Sequence, residues 1–221
     1  MISCIVPAFN EEKWLARTLK SLLESAKKCN EEVEIIVVDN CSMDKTSEVA
    51  GRFPVKTIFF PVSGRELAKN RGASVAQGDT LVFVDADLIV TDNFFSEIYE
   101  KSLNPYFVGG GMKRVKLTRW SLGIFVSMFF VAITLLLNQI TVGVIWVRKS
   151  VFEAIGGFRV DKVFDDIDIA IRLKKYAKVE NKKFESLKKS ILTWSTRRFD
   201  KYGNWYWFNF SRRSPFSRNP N

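Results

Sequence analysis

Apolar runs and helical spacings alternate along the first part of the chain. Ile2 to Val6 is a short apolar run closed by Pro7, and Val33 to Val38 is a second, rich in Val and Ile; both predict buried strands. Between them Leu15, Leu19, Leu22, Leu23 and Ala26 recur at helical spacing, with Asn10 placed to cap the helix and Glu11 and Glu12 in its first turn. A helix from about Asp44, a strand near Val55 to Phe60, a helix over Glu66 to Ala76 and a strand from Thr80 to Val84 continue the pattern. Strands regularly separated by helices predict an α/β fold with a mostly parallel sheet flanked on both faces.

Ligands of such sheets collect outside the carboxyl ends of the strands. The residues there are polar and acidic: Pro7 to Glu12 after the first strand, Asp39 to Asp44 after the second, and Asp85-Ala-Asp87 after the fourth. No G-x-G-x-x-G or G-x-x-x-x-G-K-[ST] follows a strand, which argues against dinucleotide-binding and P-loop chemistry. Carboxylates repel a bare phosphate, so a diphosphate held here requires a bridging Mg²⁺ or Mn²⁺, hard cations that take oxygen ligands.

Composition narrows the chemistry further. The chain of 221 residues has no histidine, which removes Ser-His and Cys-His nucleophile pairs and histidine-bound metals and leaves acid/base work to carboxylates, lysine or tyrosine. Cys4, Cys29 and Cys41 have neither disulfide-framework nor zinc spacing, and a reducing, cytoplasmic setting is expected. The opening apolar run has no basic stretch before it and is too short for a signal peptide. Residues 1–147 carry 16 basic and 16 acidic side chains, whereas the remainder carries 18 and 8, so the whole net charge of +10 belongs to the C-terminal third.

The order of these motifs resembles the inverting GT-A glycosyltransferases of family 2 from Ile2 to about Lys178. Val6-Pro-Ala-Phe-Asn-Glu-Glu12 is similar to that family's first nucleotide-contacting loop, which implies donor contacts for Pro7, Phe9 and Glu11. The segment Val37 to Thr46 is similar to its second, with Asp39 beside the base and Ser42 nearby; Asn40 and Cys41 depart from the usual acidic and glycine residues. Gly64 to Gly72, with Lys69 as a donor-binding residue, looks like the stretch leading to the metal-binding D-x-D. By that resemblance Asp87 is the direct metal ligand and Asp85 contacts ribose or metal. Val147 to Phe158 is similar to the acceptor-side segment. Phe164-Asp165-Asp166-Ile-Asp168 resembles the motif of the catalytic base, which implies that role for Asp166, with Asp165 where a glutamate is more common. Read without the family, these three aspartates simply favour a helix N-terminus. Arg197 and Arg198 supply guanidinium forks suited to a diphosphate, or surface ion pairs.

From Trp120 to Val147 no residue is charged. A single membrane crossing there would separate Asp87 from Asp166, which must meet one substrate, and basic residues flank both ends. The expectation is a helix over about Trp120 to Asn138, in the core, in a membrane interface or in a contact between copies of the chain, then a strand from about Thr141. The tail, with Trp205, Trp207, Phe208, Arg212 and Arg213, mixes interfacial aromatics with cations and suits anionic headgroups. These features predict a GT-A domain over residues 1–195, with a nucleotide-binding half at 1–90 and an acceptor half at 91–195 that includes the apolar segment 120–140. A basic aromatic extension follows at 196–221. The expected activity moves a sugar from a UDP- or GDP-sugar to a lipid, such as a polyprenyl phosphate, or to a glycan, at the cytoplasmic face of a membrane. A nucleotidyltransferase is the alternative enzyme. A non-catalytic membrane- or nucleic-acid-binding protein is the alternative from another class, and nucleic acid is not the expected partner.

Overall fold

A computed structural model describes residues 1–119, 121, 143–160 and 165–197. Strands β1 (Ile2–Ala8), β2 (Val33–Asp39), β3 (Lys56–Phe59) and β4 (Thr80–Val84) lie in the order β3-β2-β1-β4, all parallel. Helices α1 (Leu15–Lys27), α2 (Thr46–Ala50) and α3 (Arg65–Val75) form the crossovers, and β5 (Leu88–Val90) and α4 (Phe94–Ser102) follow β4. The sheet continues through β8 (Val144–Arg148), β6 (Phe107–Gly110) and β9 (Lys183–Phe184), giving seven strands. Only β8 runs against the others: it pairs antiparallel with β4 and β6, and β9 returns parallel to β6.

The continuous apolar runs are buried on both faces, and their alternation feeds two cores. Cys4, Val6, Ile35, Val37, Val82, Val84 and Trp146 pack with Leu15, Leu19 and Leu22 of α1 and Phe94, Phe95 and Ile98 of α4. Ile5, Ile36, Val38, Leu81, Phe83 and Val147 point the other way. They meet α3, α5 (Lys149–Ala154) and α6 (Asp165–Val179). Burying each large side chain stabilises the fold by roughly 1.5–3 kcal/mol, so the two-sided sheet is the reason this polar rim can be tolerated. Gly72 brings α3 close to the sheet: a Cβ there would lie 2.4 Å from Ile5 Cγ2. Any larger residue would lift the helix that carries Arg65 and Lys69.

Strands β5, β10 (Leu187–Trp194) and β7 (Met112–Leu117) form a second sheet in the order β5-β10-β7. Glu97 of α4 anchors its centre, accepting hydrogen bonds from the backbone N–H groups of Lys188, Lys189 and Ser190 and from the Ser190 hydroxyl.

Three sequence expectations change. Asn10 does not cap α1: the helix starts at Leu15 after Trp14, without a side-chain cap, and no acidic residue lies in its first turn. Asn10 instead adopts φ 55° and belongs to the loop, as do Glu11 and Glu12. The second helix begins at Thr46, not Asp44, whose carboxylate accepts the Thr46 N–H at 2.9 Å. The strand expected from Thr141 begins at Val144 and is antiparallel. The helix predicted over Trp120 to Asn138, the aromatic tail and Arg198 lie outside the described residues. Among the described residues no helix is long and apolar enough to cross a membrane.

Candidate active site

The loops after β1 and β2 are tied into one unit. Asn10 N–H donates to Ser42 Oγ at 3.0 Å, Glu11 N–H to Thr46 Oγ1 at 2.7 Å, and Glu12 N–H to Asp44 Oδ2 at 3.1 Å. In return Met43 N–H donates to Asn10 Oδ1 at 2.8 Å and Lys45 N–H to Glu12 Oε2 at 3.2 Å. Asp39 lies at the base of this unit, 2% exposed, accepting the Ser42 N–H at 3.0 Å and the Ser47 hydroxyl. Asp44 feels burial, which raises its proton affinity, yet bonds from the Thr46 hydroxyl and the Glu12 and Thr46 N–H groups outweigh it and hold the carboxyl below its ordinary value. Phe9 is half-exposed on the same rim.

A second group of side chains gathers at the end of β4. Asp85 N–H donates to the Gly143 carbonyl at 3.1 Å, and Gly143 N–H donates to Asp166 Oδ2 at 2.9 Å. One glycine, at φ 89°, therefore joins the D-x-D segment to the first turn of α6. The Thr18 hydroxyl holds the Ala86 carbonyl at 2.7 Å from the α1 side. From α3, Lys69 donates to Asp165 and Asp166, both at 2.8 Å, with its ammonium 4.7 Å from the centre of the Phe158 ring. Arg65 pairs with Asp165 and lies 4.0 Å from Asp85. Arg197 forks onto Glu11 and also lies 3.1 Å from Asp87 Oδ2, so it connects the first loop to the D-x-D segment.

Burial and partners set the charge states in opposite directions. Burial pushes Asp85 up to about 6, although Lys69 and Arg65 pull it down. Burial also works on Asp166, but Lys69 and Arg65 and the hydrogen bonds from Lys69 and Gly143 prevail and hold it below the usual carboxylate range. Lys69 and Arg65, despite their own burial, are held above their ordinary values by Asp85, Asp165 and Asp166.

The donor set fits a hard divalent cation. Asp85 and Asp87 offer carboxylate oxygens, with side chains 19% and 8% exposed. Glu11, Asp85, Asp87, Asp165 and Asp166 outnumber the cations Arg65, Lys69 and Arg197 that face them. Among the described residues no three Asp, Glu or Cys side chains form a cage of their own. For Mg²⁺-type binding one or two carboxylates suffice when substrate phosphates and water complete the sphere.

Of the residues picked out in the sequence, Pro7 and Asp39 lie at the carboxyl ends of β1 and β2, Phe9, Glu11 and Ser42 lie on the interlocked loops, and Asp85, Asp87, Asp166 and Arg197 gather beyond the end of β4. Lys69 is 1% exposed, and the partners of its ammonium are carboxylates. Arg65, Gly143 and Asp165 enter the site as well. Arg65 lies in the stretch from Gly64 to Gly72 and Asp165 beside the expected base, but nothing local in the sequence marks Gly143 as the link between Asp85 and Asp166.

A carboxylate-lined rim thus lies at the carboxyl ends of the parallel strands, and the α/β architecture is that of the GT-A fold. The profile of glycosyl transferase family 2 matches residues 3–153, and the chain belongs to that family. Glycosyltransferase GlyG of Streptococcus pneumoniae is 33% identical over 107 residues, 46% of this chain and 35% of that protein. The undecaprenyl-phosphate 4-deoxy-4-formamido-L-arabinose transferase of Aeromonas hydrophila is 26% identical over 127 residues, 54% and 39% of the two chains. The mannosyltransferase of Pyrobaculum calidifontis, solved with GDP-Man and Mn²⁺, superposes with a TM-score of 0.68 at 17% identity, covering 87% of this chain and 56% of that one, and shares its fold. The matched segments span little more than a third of these two curated relatives.

Proposed function

We propose that the chain transfers a sugar from a UDP- or GDP-sugar to an acceptor with inversion, using Mg²⁺ or Mn²⁺ held by Asp87 and Asp85. The observation that carries this reading is the convergence of Asp85, Asp87 and Asp166 on one rim, with Gly143 bonded to both Asp85 and Asp166. The interlocked loops receive the nucleotide: Asp39 and Ser42 face the base side, and Pro7, Phe9 and Glu11 the wall opposite. When bound, a divalent cation neutralises charge building on the leaving diphosphate. Residues 1–90 serve the donor and residues 91–195 the acceptor.

Asp166 faces the acceptor in this reading. With one oxygen on Lys69 and the other on the Gly143 N–H, it is held rigidly enough to orient an incoming oxygen. A lipid phosphate is the acceptor we favour, because its oxygen is anionic at neutral pH and attacks without losing a proton. The similarity to an undecaprenyl-phosphate sugar transferase supports it. So does the basic, aromatic tail, suited to peripheral binding on the cytoplasmic face of a membrane. A glycan hydroxyl is the second acceptor class, and there Asp166 takes the proton.

The test is a thermal-shift screen of UDP- and GDP-sugars with and without Mn²⁺, since a ligand that binds the native state raises Tm. One nucleotide sugar is expected to stabilise the chain in a Mn²⁺-dependent way, and Asp87→Ala is expected to abolish the metal-dependent part. A shift untouched by Asp87→Ala would refute the metal assignment. Transfer to polyprenyl phosphate in detergent, compared with transfer to free glycans, separates the two acceptors.

A further inference from the structure

We propose that Arg197 is a resident counter-ion on the metal-binding carboxylates, surrendering Asp87 readily only to a divalent cation that arrives with its diphosphate. The inference rests on the donor-site reading above and concerns the order in which that site fills. Arg197 follows β10, and its guanidinium forks onto the first loop, with Nη1 2.5 Å from Glu11 Oε2 and Nη2 on Glu11 Oε1. The same Nη2 lies 3.1 Å from Asp87 Oδ2, and the Trp14 ring centre is 5.8 Å from the guanidinium carbon. One cation thus spans the rim between the first nucleotide loop and the D-x-D segment.

The charge that Arg197 answers is considerable. The Asp87 side chain is 8% exposed, and Asp85 and Glu11 lie near, so without a counter-ion three carboxylates would repel one another with little water between them. Asp87, ligating a metal, would bring a double positive charge close to the guanidinium that lies 3.1 Å from its Oδ2. The two cations would repel each other and compete for the Asp87 carboxylate. Arg197, displaced from Asp87 by a metal ion alone, would gain no acceptor in its place. A metal accompanied by a diphosphate supplies one, because phosphate oxygens match the guanidinium fork, and Glu11 keeps the arm tethered within reach. Binding of metal and nucleotide is therefore cooperative, and the coupling is reciprocal.

Titration of the full chain with Mn²⁺, read as loss of the free-ion paramagnetic resonance signal, tests this in the presence and absence of UDP or GDP. The wild type is expected to bind Mn²⁺ weakly alone and about tenfold or more tightly with nucleotide present. Arg197→Gln, with its fold checked by circular dichroism, is expected to bind Mn²⁺ alone about tenfold more tightly than the wild type and to gain less from nucleotide. Arg197→Lys, which keeps the charge but loses the fork, is expected to fall between them and gives a second reading if the Gln variant does not fold. Equal Mn²⁺ affinity in the wild type and these variants, with nucleotide-dependent binding intact, overturns the counter-ion role and leaves the donor site standing. Absence of Mn²⁺ binding by the wild type with either nucleotide overturns both.

Discussion

The Lys69 ammonium lies 2.8 Å from the Asp166 carboxylate, although 97 residues separate the two in the chain. This contact fixes α3 against the start of α6 inside the protein, where neither partner has water to fall back on. Lys69→Met leaves Asp165 and Asp166 facing each other without their shared cation, and removing one member of a buried pair costs about 3–5 kcal/mol. Urea denaturation is expected to show a loss of that size. An unchanged midpoint would mean that the carboxylates find another counter-ion.

Gly143 combines a left-handed φ of 89° with a crowded position, where an added Cβ would lie 2.8 Å from Leu88 Cδ1. Gly143→Ala therefore carries backbone strain of about 1–3 kcal/mol and shifts the bridge between Asp85 and Asp166. Calorimetry should show Mn²⁺-dependent nucleotide affinity falling about tenfold, a larger effect than the loss of fold stability alone explains. Wild-type affinity in a destabilised variant would restrict Gly143 to a structural role.

Glu97 tests the second sheet independently of the rim. Burial raises the proton affinity of its carboxyl, but the Ser190 hydroxyl and the Lys189, Lys188 and Ser190 N–H groups together hold it below its ordinary value. Glu97→Gln replaces charge-assisted bonds with weaker ones and turns an amide donor towards backbone donors. A loss of about 2–3 kcal/mol is expected by denaturation. Stability within a few tenths of the wild type would show that β10 holds its register without this anchor.

Glu185 provides a pH test. Burial acts to raise its carboxyl, but Lys188 and Lys183 outweigh it and bring the folded-state value down from 4.5 to about 2. A depressed carboxylate stabilises the fold fully above its unfolded pKa, and that contribution disappears as protons bind while the pH falls from 4.5 towards 2. Glu185→Gln is expected to be less stable than the wild type at neutral pH and to lose less on acidification through this window. Parallel pH–stability curves for the two proteins would contradict the assignment.

Much of the fold of residues 1–90 can be read from the chain because its signals are local. The runs in β1, β2 and β4 are apolar on both faces, and those of β2 and β4 end in acids, so the strands and the rim follow from the same few residues. Asn10 misled because its capping chemistry is satisfied across space: its backbone N–H finds Ser42 and its amide oxygen finds Met43 N–H, and tertiary bonding replaced the helix cap. In the later half, β7 alternates poorly, with Lys113, Arg114, Val115 and Lys116 all exposed, and β10 has Lys188 and Lys189 at its start. At the edge of a small sheet β7 carries little hydrophobic period, and the reversed direction of β8 leaves no mark on its sequence. Asp85, Asp87 and Asp166 were legible as carboxylates at element ends. The roles of Arg65 and Gly143 arise only when segments far apart in the chain meet.

The five hydrogen bonds that join the loops after β1 and β2 bear on how a donor is recognised. Fixing a backbone residue costs about 1–2 kcal/mol in lost freedom, and here that loss is incurred when the chain folds, before any ligand arrives. A guest meets a preshaped mould, so its affinity reflects complementarity rather than the work of ordering two floppy segments. A substitution in either loop, Ser42→Ala for instance, is then felt by both walls of the mould at once.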